Sequence, residues 1–276
     1  MRIVADTATL LSPQDGEAMG ITVVPVTVSI NDKTYRDYED ISSEEFVSLI
    51  GQGGVPTSSQ PSVGDVMEVL GKDRDDVVFI TVGDGLSGAY STAVSAKNCM
   101  DDNDRISIVN SKTLGGPLRY IVKKAAMLKE QGLCGRDIVS ALVSSIESSV
   151  SFVIPEDFEF LKRSGRLTAI TAKVGGALKL LPVLTQTEDK TRIKPVTVKR
   201  SWKTAVDAVI QRLQAVNVDS GYLISVCHTG TCQKAKAVIE QIKAAFPAVD
   251  IEMLTLSPAL ITHGGPGCIV VQAVKK

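Results

Sequence analysis

The chain has few aromatic residues, no excess of either charge and no long apolar run. Aromatic side chains make up 4 % of its 276 residues, which argues against the stacking platform of a single-stranded nucleic-acid binder. Thirty basic and 31 acidic residues leave a formal charge of −1, so no net field attracts nucleic acid or an anionic membrane. No stretch approaches the roughly 20 apolar residues of a membrane-spanning helix. We therefore expect neither nucleic-acid binding nor stable membrane insertion.

The five cysteines are scattered, odd in number and part of a long chain, which predicts reduced thiols rather than a disulfide framework. Met1–Asp6 enters a strand-like run at once, so we expect no signal peptide and a cytoplasmic protein. Cys227, His228 and Cys232 offer too few neighbouring ligands for a zinc site. The sequence also has no Gly-x-x-x-x-Gly-Lys-Ser/Thr loop for nucleotide phosphates, and we expect no cofactor.

Apolar runs alternate with helix-like segments through the first half. Val77–Val82 is a continuous apolar run, typical of a buried parallel strand, and Ser62 to Asp65 resembles the capping box that begins a helix. We predict a mostly parallel α/β domain over residues 1–150. Its other predicted strands are Arg2–Ala5, Ile21–Ile30 (broken by Pro25) and Ile106–Asn110, and its other helices are Ser43–Ile50, Ala89–Cys99 and Leu118–Gln131.

After about Val150 short strands become more frequent. We predict a second, α+β domain with more antiparallel pairing over residues 151–276, and a ligand tunnel between or within the two domains. Its predicted strands are Ile193–Val198, Tyr222–Cys227, Ile251–Thr255 and Cys268–Ala273, and its helices are Pro155–Lys162, Trp202–Ala215 and Cys232–Phe246.

The segment Gly83–Tyr90 follows a predicted strand and precedes a predicted helix, where free amides and the helix dipole attract anions. Its glycines let the backbone approach a ligand, and Ser87 adds a hydroxyl. A helix-capping turn explains the same residues without a ligand. The nucleophile elbow of a serine hydrolase needs glycine two residues on either side of its serine. Gly85 fits that pattern and Ala89 does not, which disfavours Ser87 as a nucleophile.

Three other polar segments offer groups for an anion site. Ser58 lies in a loop punctuated by glycine and proline, and Arg163 and Arg166 form a basic turn. His263 precedes the glycine-rich turn 264–267, which would place the imidazole at a loop tip. Taken singly, each segment is also explained as an ordinary loop or a solvated turn.

Beyond the basic turn, apolar residues recur at near-helical spacing: Ile170, Val174, Leu178 and Leu181. Core packing and the wall of an acyl-chain tunnel both explain this stripe. The paired glycines 175–176 within it are unusual, because glycine destabilises a helix interior. Close approach of an acyl chain or of another backbone is one explanation for them.

In this order along the chain, these segments resemble the DegV family of bacterial lipid-binding proteins. The resemblance runs from Val4-Ala5-Asp6-Thr7 to the loop of residues 263–267. It implies a protein that is not itself an enzyme. Such a protein binds a long-chain fatty acid and presents it to a separate ATP-dependent fatty acid kinase, which makes acyl phosphate for phospholipid synthesis.

The resemblance also implies roles for single residues. Ser87 matches the serine of the family's Ser-Gly-Thr-Tyr stretch, and Ser58 stands where a threonine is usual. Both would bind the carboxylate, together with His263 of the His-x-Gly-Pro-Gly loop. Arg166 matches the arginine of a Gly-Gly-Arg turn and Arg200 that of a Lys-x-Arg stretch, and these two would contact the headgroup or the partner.

Three positions depart from the family pattern. Ser58 keeps the hydroxyl of the usual threonine without its methyl group. Ala89 replaces the threonine that usually follows the Ser-Gly pair. Leu181 stands before Pro182, where a lysine is common, and its presence removes a positive charge.

Two other functions are open. A sensor that reports a small anion or lipid would need the same donors, and copurification with a kinase would distinguish a carrier from a sensor. An acyl-ester serine hydrolase would be labelled at Ser87 by a fluorophosphonate probe. The fatty-acid carrier is the leading hypothesis.

Overall fold

The computed structural model describes residues 1–168 and 180–276. The strands are β1 (Arg2–Asp6), β2 (Ile21–Val24), β3 (Thr27–Ile30), β4 (Lys33–Arg36), β5 (Thr57–Ser59), β6 (Val77–Thr81), β7 (Ile106–Asn110), β8 (Val150–Ile154), β9 (Leu181–Gln186), β10 (Ile193–Lys199), β11 (Tyr222–His228), β12 (Asp250–Thr255) and β13 (Ile269–Lys275). The helices are α1 (Pro13–Ala18), α2 (Ser43–Gly51), α3 (Val63–Gly71), α4 (Ala89–Asn98), α5 (Gly115–Glu130), α6 (Gly135–Ser148), α7 (Phe158–Arg163), α8 (Trp202–Ala215), α9 (Cys232–Ala245) and α10 (Pro258–Gly264).

The first half is built on a parallel sheet with strand order β2-β1-β6-β7. Successive residues of a strand point to opposite sides, so the mainly apolar strands present two apolar faces, and helices cover both. Ile3 and Ala5 pack with α5 and α6 on one face, whereas Val4 packs with α3 and α4 on the other. The carboxyl ends of β1 and β6 lie side by side, and at such edges α/β proteins commonly bind ligands.

The second half is built on a mixed sheet with strand order β10-β9-β8-β13-β11-β12. Its neighbouring strands are antiparallel except for the parallel pair β11–β12. One face packs on α8 and α9 through a core that includes Phe152, Val209 and Ile242. The other face turns toward the first half and carries a row of polar residues.

Gln272 is the centre of that polar row. It pairs with Ser151 on β8 and Ser225 on β11. Its Oε1 accepts a hydrogen bond from Gly116 N at 3.0 Å, and its Nε2 donates to Leu114 O at 2.9 Å and to Ser151 Oγ at 2.8 Å. These bonds satisfy backbone groups at the start of α5 that have no partner within the helix. The row thereby holds the amino end of α5 against the six-stranded sheet.

A small antiparallel sheet, β4-β3-β5, joins the two halves. Asn31 and Asp32 connect β3 to β4 with φ of 52° and 60°, the left-handed pair that a two-residue hairpin needs and that Asn and Asp tolerate. Val28 of β3 pairs with Ser58 of β5. The sheet packs on α2 and α10 through a shared apolar cluster that includes Phe46 and Ile261. It therefore places Ser58 beside the helix that bears His263.

The fold class matches the prediction: a parallel α/β region followed by a mixed-sheet region. The parallel sheet lies before residue 150 and the six-stranded sheet begins at Val150, although the division into two domains stays a prediction. The stretch Ile21–Ile30 was predicted as one interrupted strand and forms two, in different sheets. The helix predicted from Pro155 begins at Phe158, because Asp157 caps it by accepting from Glu159 N.

Two buried carboxyl groups lie near the start of α10. Asp6 ends β1 and accepts hydrogen bonds from Val82 N at 2.8 Å and Ala8 N at 2.9 Å. Asp37 follows β4 and accepts from Ala259 N at 3.3 Å. Burial raises the pKa of Asp6 to about 6 and that of Asp37 to about 7, and the charge of Asp6 adds to the increase for Asp37.

We expect Asp37→Asn to change how stability depends on pH. Because the folded-state pKa of Asp37 is about 7 against an ordinary 3.8, its stabilising contribution is full below about pH 4 and is lost as the pH rises toward 7. The whole loss is on the order of 4 kcal/mol. The variant's free energy of unfolding, relative to wild type, should therefore increase over this interval. Urea unfolding at a series of pH values measures this difference in the free energy of unfolding, with exposed Asp101→Asn as the control. If the free energies of Asp37→Asn and wild type changed in parallel with pH, the raised pKa of Asp37 would be contradicted.

Candidate functional site

A cavity lies between the three sheets. Its walls are mainly apolar, with a few polar side chains, as in many small-molecule sites. The lining residues are Ala8, Val26, Ser58, Ser59, Gln60, Val82, Leu86, Ser87, Leu114, Ser151, Val153, Leu161, Ser164, Arg166, Thr185, Gln186, Ile193, Leu256, Ala259, Leu260, His263, Gly264, Cys268, Val270 and Gln272.

Ser58 and His263 form a hydrogen-bonded pair in this cavity, with 2.9 Å between Ser58 Oγ and His263 Nε2. Ser58 was predicted to lie in a loop, and it lies in the short strand β5, held by its pairing with Val28. The structure thus brings Ser58 and His263 together, and their role toward a ligand remains a prediction.

His263 does not lie at a loop tip as the glycine-rich sequence suggested. It lies in the last turn of α10, and the glycines come after it. Ser257 caps this helix by accepting from Leu260 N, and Pro258 follows at the first helical position, where proline is favoured. Gly265, with φ of 75°, then ends the helix. The helix turns the imidazole inward, onto the cavity.

The imidazole of His263 is neutral at physiological pH. Burial, together with the positive charge of Arg166, lowers the pKa of His263 to about 4. Its Nδ1 is buried and has no hydrogen-bond partner within residues 1–168 and 180–276. A neutral imidazole donates from one nitrogen and accepts at the other. The pair can therefore direct an N–H or the serine O–H toward an anionic oxygen without a buried positive charge.

Ser87 and Arg166, two further residues predicted for the site, line the same cavity. Ser87 Oγ accepts from Ala89 N at 3.2 Å, so its own hydrogen remains available. Arg166 donates from Nε to Leu86 O at 3.1 Å and from Nη1 to Ser164 O, which fixes it beside the Ser87 loop. Burial and neighbouring Arg192 lower the pKa of Arg166. A ligand anion in the cavity would be favoured by the positive charge of Arg166, whereas Arg192 is exposed and lies outside the cavity lining.

Two other predicted site residues, Arg200 and Leu181, lie outside the cavity lining. Arg200 is exposed just after β10, outside the cavity lining. Leu181 begins β9 and packs against the core beneath α8 and α9 rather than lining the cavity. Ile170, Val174 and Leu178 lie outside the residues that the structure describes. The roles proposed for these five residues remain predictions.

Several cavity residues were not predicted individually as site residues, although Gln60 belongs to the same polar segment as Ser58. Gln60 contacts the loop before α4, since a Cβ on Gly88 would lie 3.0 Å from Gln60 Cδ. Gln186 and Gln272 face the cavity from β9 and β13. Single glutamines within apolar strands resemble ordinary solvent-facing positions, and only the sheet register shows that they share a face.

The described part of the chain shows no group of three or more His, Cys, Asp or Glu side chains that could hold a metal ion. Cys227 is buried, which raises the pKa of its thiol to about 12, and it does not form a cluster with Cys232. Over the same described residues, no helix combines the length and apolar character required to cross a membrane.

The fold and the site define a protein with a parallel α/β half and a mixed-sheet half, with a mainly apolar cavity between them. The family described as "Uncharacterised protein, DegV family COG1307" matches residues 1–276. The chain therefore belongs to the DegV family. A DegV domain-containing protein of Caldanaerobacter subterraneus, TTE1491, is 32 % identical over 257 residues, which cover 90 % of this chain and 89 % of that protein.

Two solved structures of the family share the whole fold. A DegV family protein from Thermus thermophilus, described for its fatty acid binding, superposes with a TM-score of 0.89 at 25 % identity, covering 100 % of both chains. DegV from Bacillus subtilis, a fatty acid binding protein, gives a TM-score of 0.85 at 25 % identity and covers 100 % of this chain and 99 % of that one.

Proposed function

We propose that this protein binds a long-chain fatty acid in its cavity and presents the carboxylate to a separate ATP-dependent fatty acid kinase. The observation that carries the proposal is the Ser58–His263 pair, placed with Ser87 in the wall of a mainly apolar cavity. The fatty acid binding of the Thermus and Bacillus relatives supports the ligand class. In this proposal the protein is a cytoplasmic substrate carrier and has no catalysis of its own.

Acyl-chain burial supplies most of the binding free energy in this proposal. Each buried methylene contributes roughly 0.8 kcal/mol, so a long chain offers about 10 kcal/mol before association costs. The apolar wall formed by residues such as Leu86, Val153 and Val270 suits that burial. A carboxylate buried without partners would offset much of the gain. Hydrogen bonds from Ser58, Ser87 and His263 would compensate, at about 1.5–3 kcal/mol each.

The proposed partner supplies what the sequence lacks. Phosphorylating a carboxylate requires ATP, Mg²⁺ and a phosphate-binding loop, and the sequence has no Walker-type loop. In the carrier model, Arg166 lies beside the headgroup and exposed Arg200 is available for contact with the kinase. The acyl phosphate so made would enter phospholipid synthesis.

The Ser58–His263 pair also resembles the first two members of a hydrolytic triad. The pair differs from a triad because, among the described residues, no carboxylate contacts His263 Nδ1. In a triad such a third group orients the base. A pKa of about 4 also makes His263 a weak base. A hydrolase would be labelled by a fluorophosphonate at Ser58 or Ser87, and we expect labelling at neither.

Mass spectrometry of an organic extract from the freshly purified, denatured protein tests the proposal. Near-stoichiometric fatty acid would support it and would report the preferred chain length. An empty extract, together with no uptake of added fatty acids, would refute the ligand. A sensor would release the same fatty acid but would not stimulate or copurify with a kinase, so a pull-down with a fatty acid kinase separates these two functions.

A further inference from the structure

The cavity wall contains a second polar region, distinct from the Ser58–His263 pair. Gln186 Nε2 donates to Lys112 O at 3.0 Å and to Lys190 O at 3.3 Å. Carbonyl oxygens only accept, so these two bonds fix which end of the amide is the nitrogen. Gln186 Oε1 is then the other end of the amide, and it is buried with no donor among the described residues.

An unsatisfied buried acceptor of this kind is rare and costs stability unless a ligand or water completes it. The register of the six-stranded sheet shows its surroundings. Val153 pairs with Leu184 and with Val270, and these apolar side chains line or adjoin the cavity. Gln186 lies two residues after Leu184, and Ser151 two residues before Val153, so both belong to the same face.

Ser151 supplies a donor beside this acceptor. Its Oγ accepts from Gln272 Nε2 at 2.8 Å, so its own hydrogen remains available to a ligand. The floor of the cavity thus has an apolar row followed by a polar row that offers one free acceptor and one free donor. A hydroxyl group, which both donates and accepts, matches the pair; a methylene group leaves Gln186 Oε1 unsatisfied.

The polar row is remote from His263. Cys268 Sγ lies 3.0 Å from the place where a Cβ on Gly264 would be, so Cys268 adjoins the end of α10. Gln272 is four residues further along the strand, roughly 13 Å away at about 3.3 Å per residue. A ligand with its carboxylate at Ser58 and His263 would therefore meet the polar row with the middle or far part of its chain.

We infer that Gln186 and Ser151 form a subsite for a hydroxyl group on the middle or far part of the acyl chain, so that the ligand class includes hydroxy fatty acids. This inference rests on the proposed fatty acid binding. Gln186 acts as the specificity-determining acceptor, and Ser151 donates to the same hydroxyl oxygen. Its neighbour Gln272 is already fully bonded and only orients Ser151.

The test compares stearic acid with hydroxystearic acids of the same length. The hydroxyl is placed next to the carboxylate, at mid-chain or at the far end, and affinities are measured by displacement of a fluorescent fatty acid. Wild type should prefer a mid-chain or far-end isomer over the isomer substituted next to the carboxylate. The ratio of the stearate to the hydroxystearate dissociation constant measures the preference for the hydroxylated chain. In Gln186→Leu this ratio should fall about tenfold, while stearate binding is retained.

Exposed Gln211→Leu on α8 is the matched control and should leave the ratio unchanged. Ser151→Ala keeps the Gln186 amide in place and should give a smaller decrease, which covers the case in which Gln186→Leu folds poorly. Stearate binding with no isomer preference in wild type would overturn the subsite but not the fatty acid site. Failure of wild type to bind any fatty acid would overturn both.

Discussion

Replacing Ser87 and His263 together with alanine is expected to abolish fatty-acid-dependent kinase activity and to weaken fatty acid binding by 100-fold or more. The two side chains line one cavity, and His263 is hydrogen bonded to Ser58. Loss of two charge-assisted hydrogen bonds removes about 3–6 kcal/mol, and each 1.4 kcal/mol is a factor of ten in affinity. The fold should survive, because Ser87 and His263 lie on a loop and on a helix end.

The fatty alcohol of the same chain length isolates the headgroup contribution. Wild type should bind the acid much more tightly than the alcohol, whereas the double variant should bind the two almost equally. Ser95→Ala, on the exposed side of α4, is a control that should keep the preference. A folded double variant that still strongly prefers the acid would show that the carboxylate binds elsewhere.

Gly116→Ala is expected to destabilise the protein by about 3 kcal/mol, although alanine favours helices over glycine by about 1 kcal/mol. Gly116 is the second residue of α5 and packs against β11. A Cβ there would lie 2.1 Å from Ser225 Oγ and 2.2 Å from Ser225 Cβ. Ser225 is fully buried and its strand is held on both sides, so α5 would have to move off the sheet.

Gly64→Ala is the matched control for Gly116→Ala, because Gly64 is also the second residue of its helix, α3. The nearest atom to a Cβ at Gly64 is Ser62 Oγ at 3.6 Å, which is ordinary contact. This control should be neutral or slightly stabilising. Urea midpoints measure both variants, and equal midpoints for Gly116→Ala and wild type would contradict the close packing of α5 on the six-stranded sheet.

The elements predicted best are those whose signal is local. Val77–Thr81 is buried at every position, apolar up to its final threonine and preceded by Asp75 and Asp76, and the prediction missed its end by one residue. The bounds of α8, Trp202–Ala215, were predicted as observed, since Ser201 caps it and the apolar spacing is helical. In contrast, α6 (Gly135–Ser148) was missed because Cys134-Gly135 resembles a helix end and Cys134 makes no side-chain cap bond.

The candidate site was predictable only in part, for a physical reason. Ser58, Ser87 and His263 were selected through the family resemblance, and the structure brings them to one cavity. That His263 is neutral depends on burial and on Arg166, which no local pattern contains. The polar row through Ser151 and Gln272 arises from pairing between strands more than 100 residues apart, so no sequence window could have shown it.

The hydrogen bond between Ser58 and His263 joins residues 205 positions apart in the chain. During synthesis, at about 5–20 residues per second, Ser58 emerges from the ribosome at least roughly ten seconds before His263. The parallel sheet can fold in that interval, but the headgroup pocket cannot close. If the proposed fatty acid binds at this pair, its headgroup site is incomplete in the nascent chain until α10 has docked.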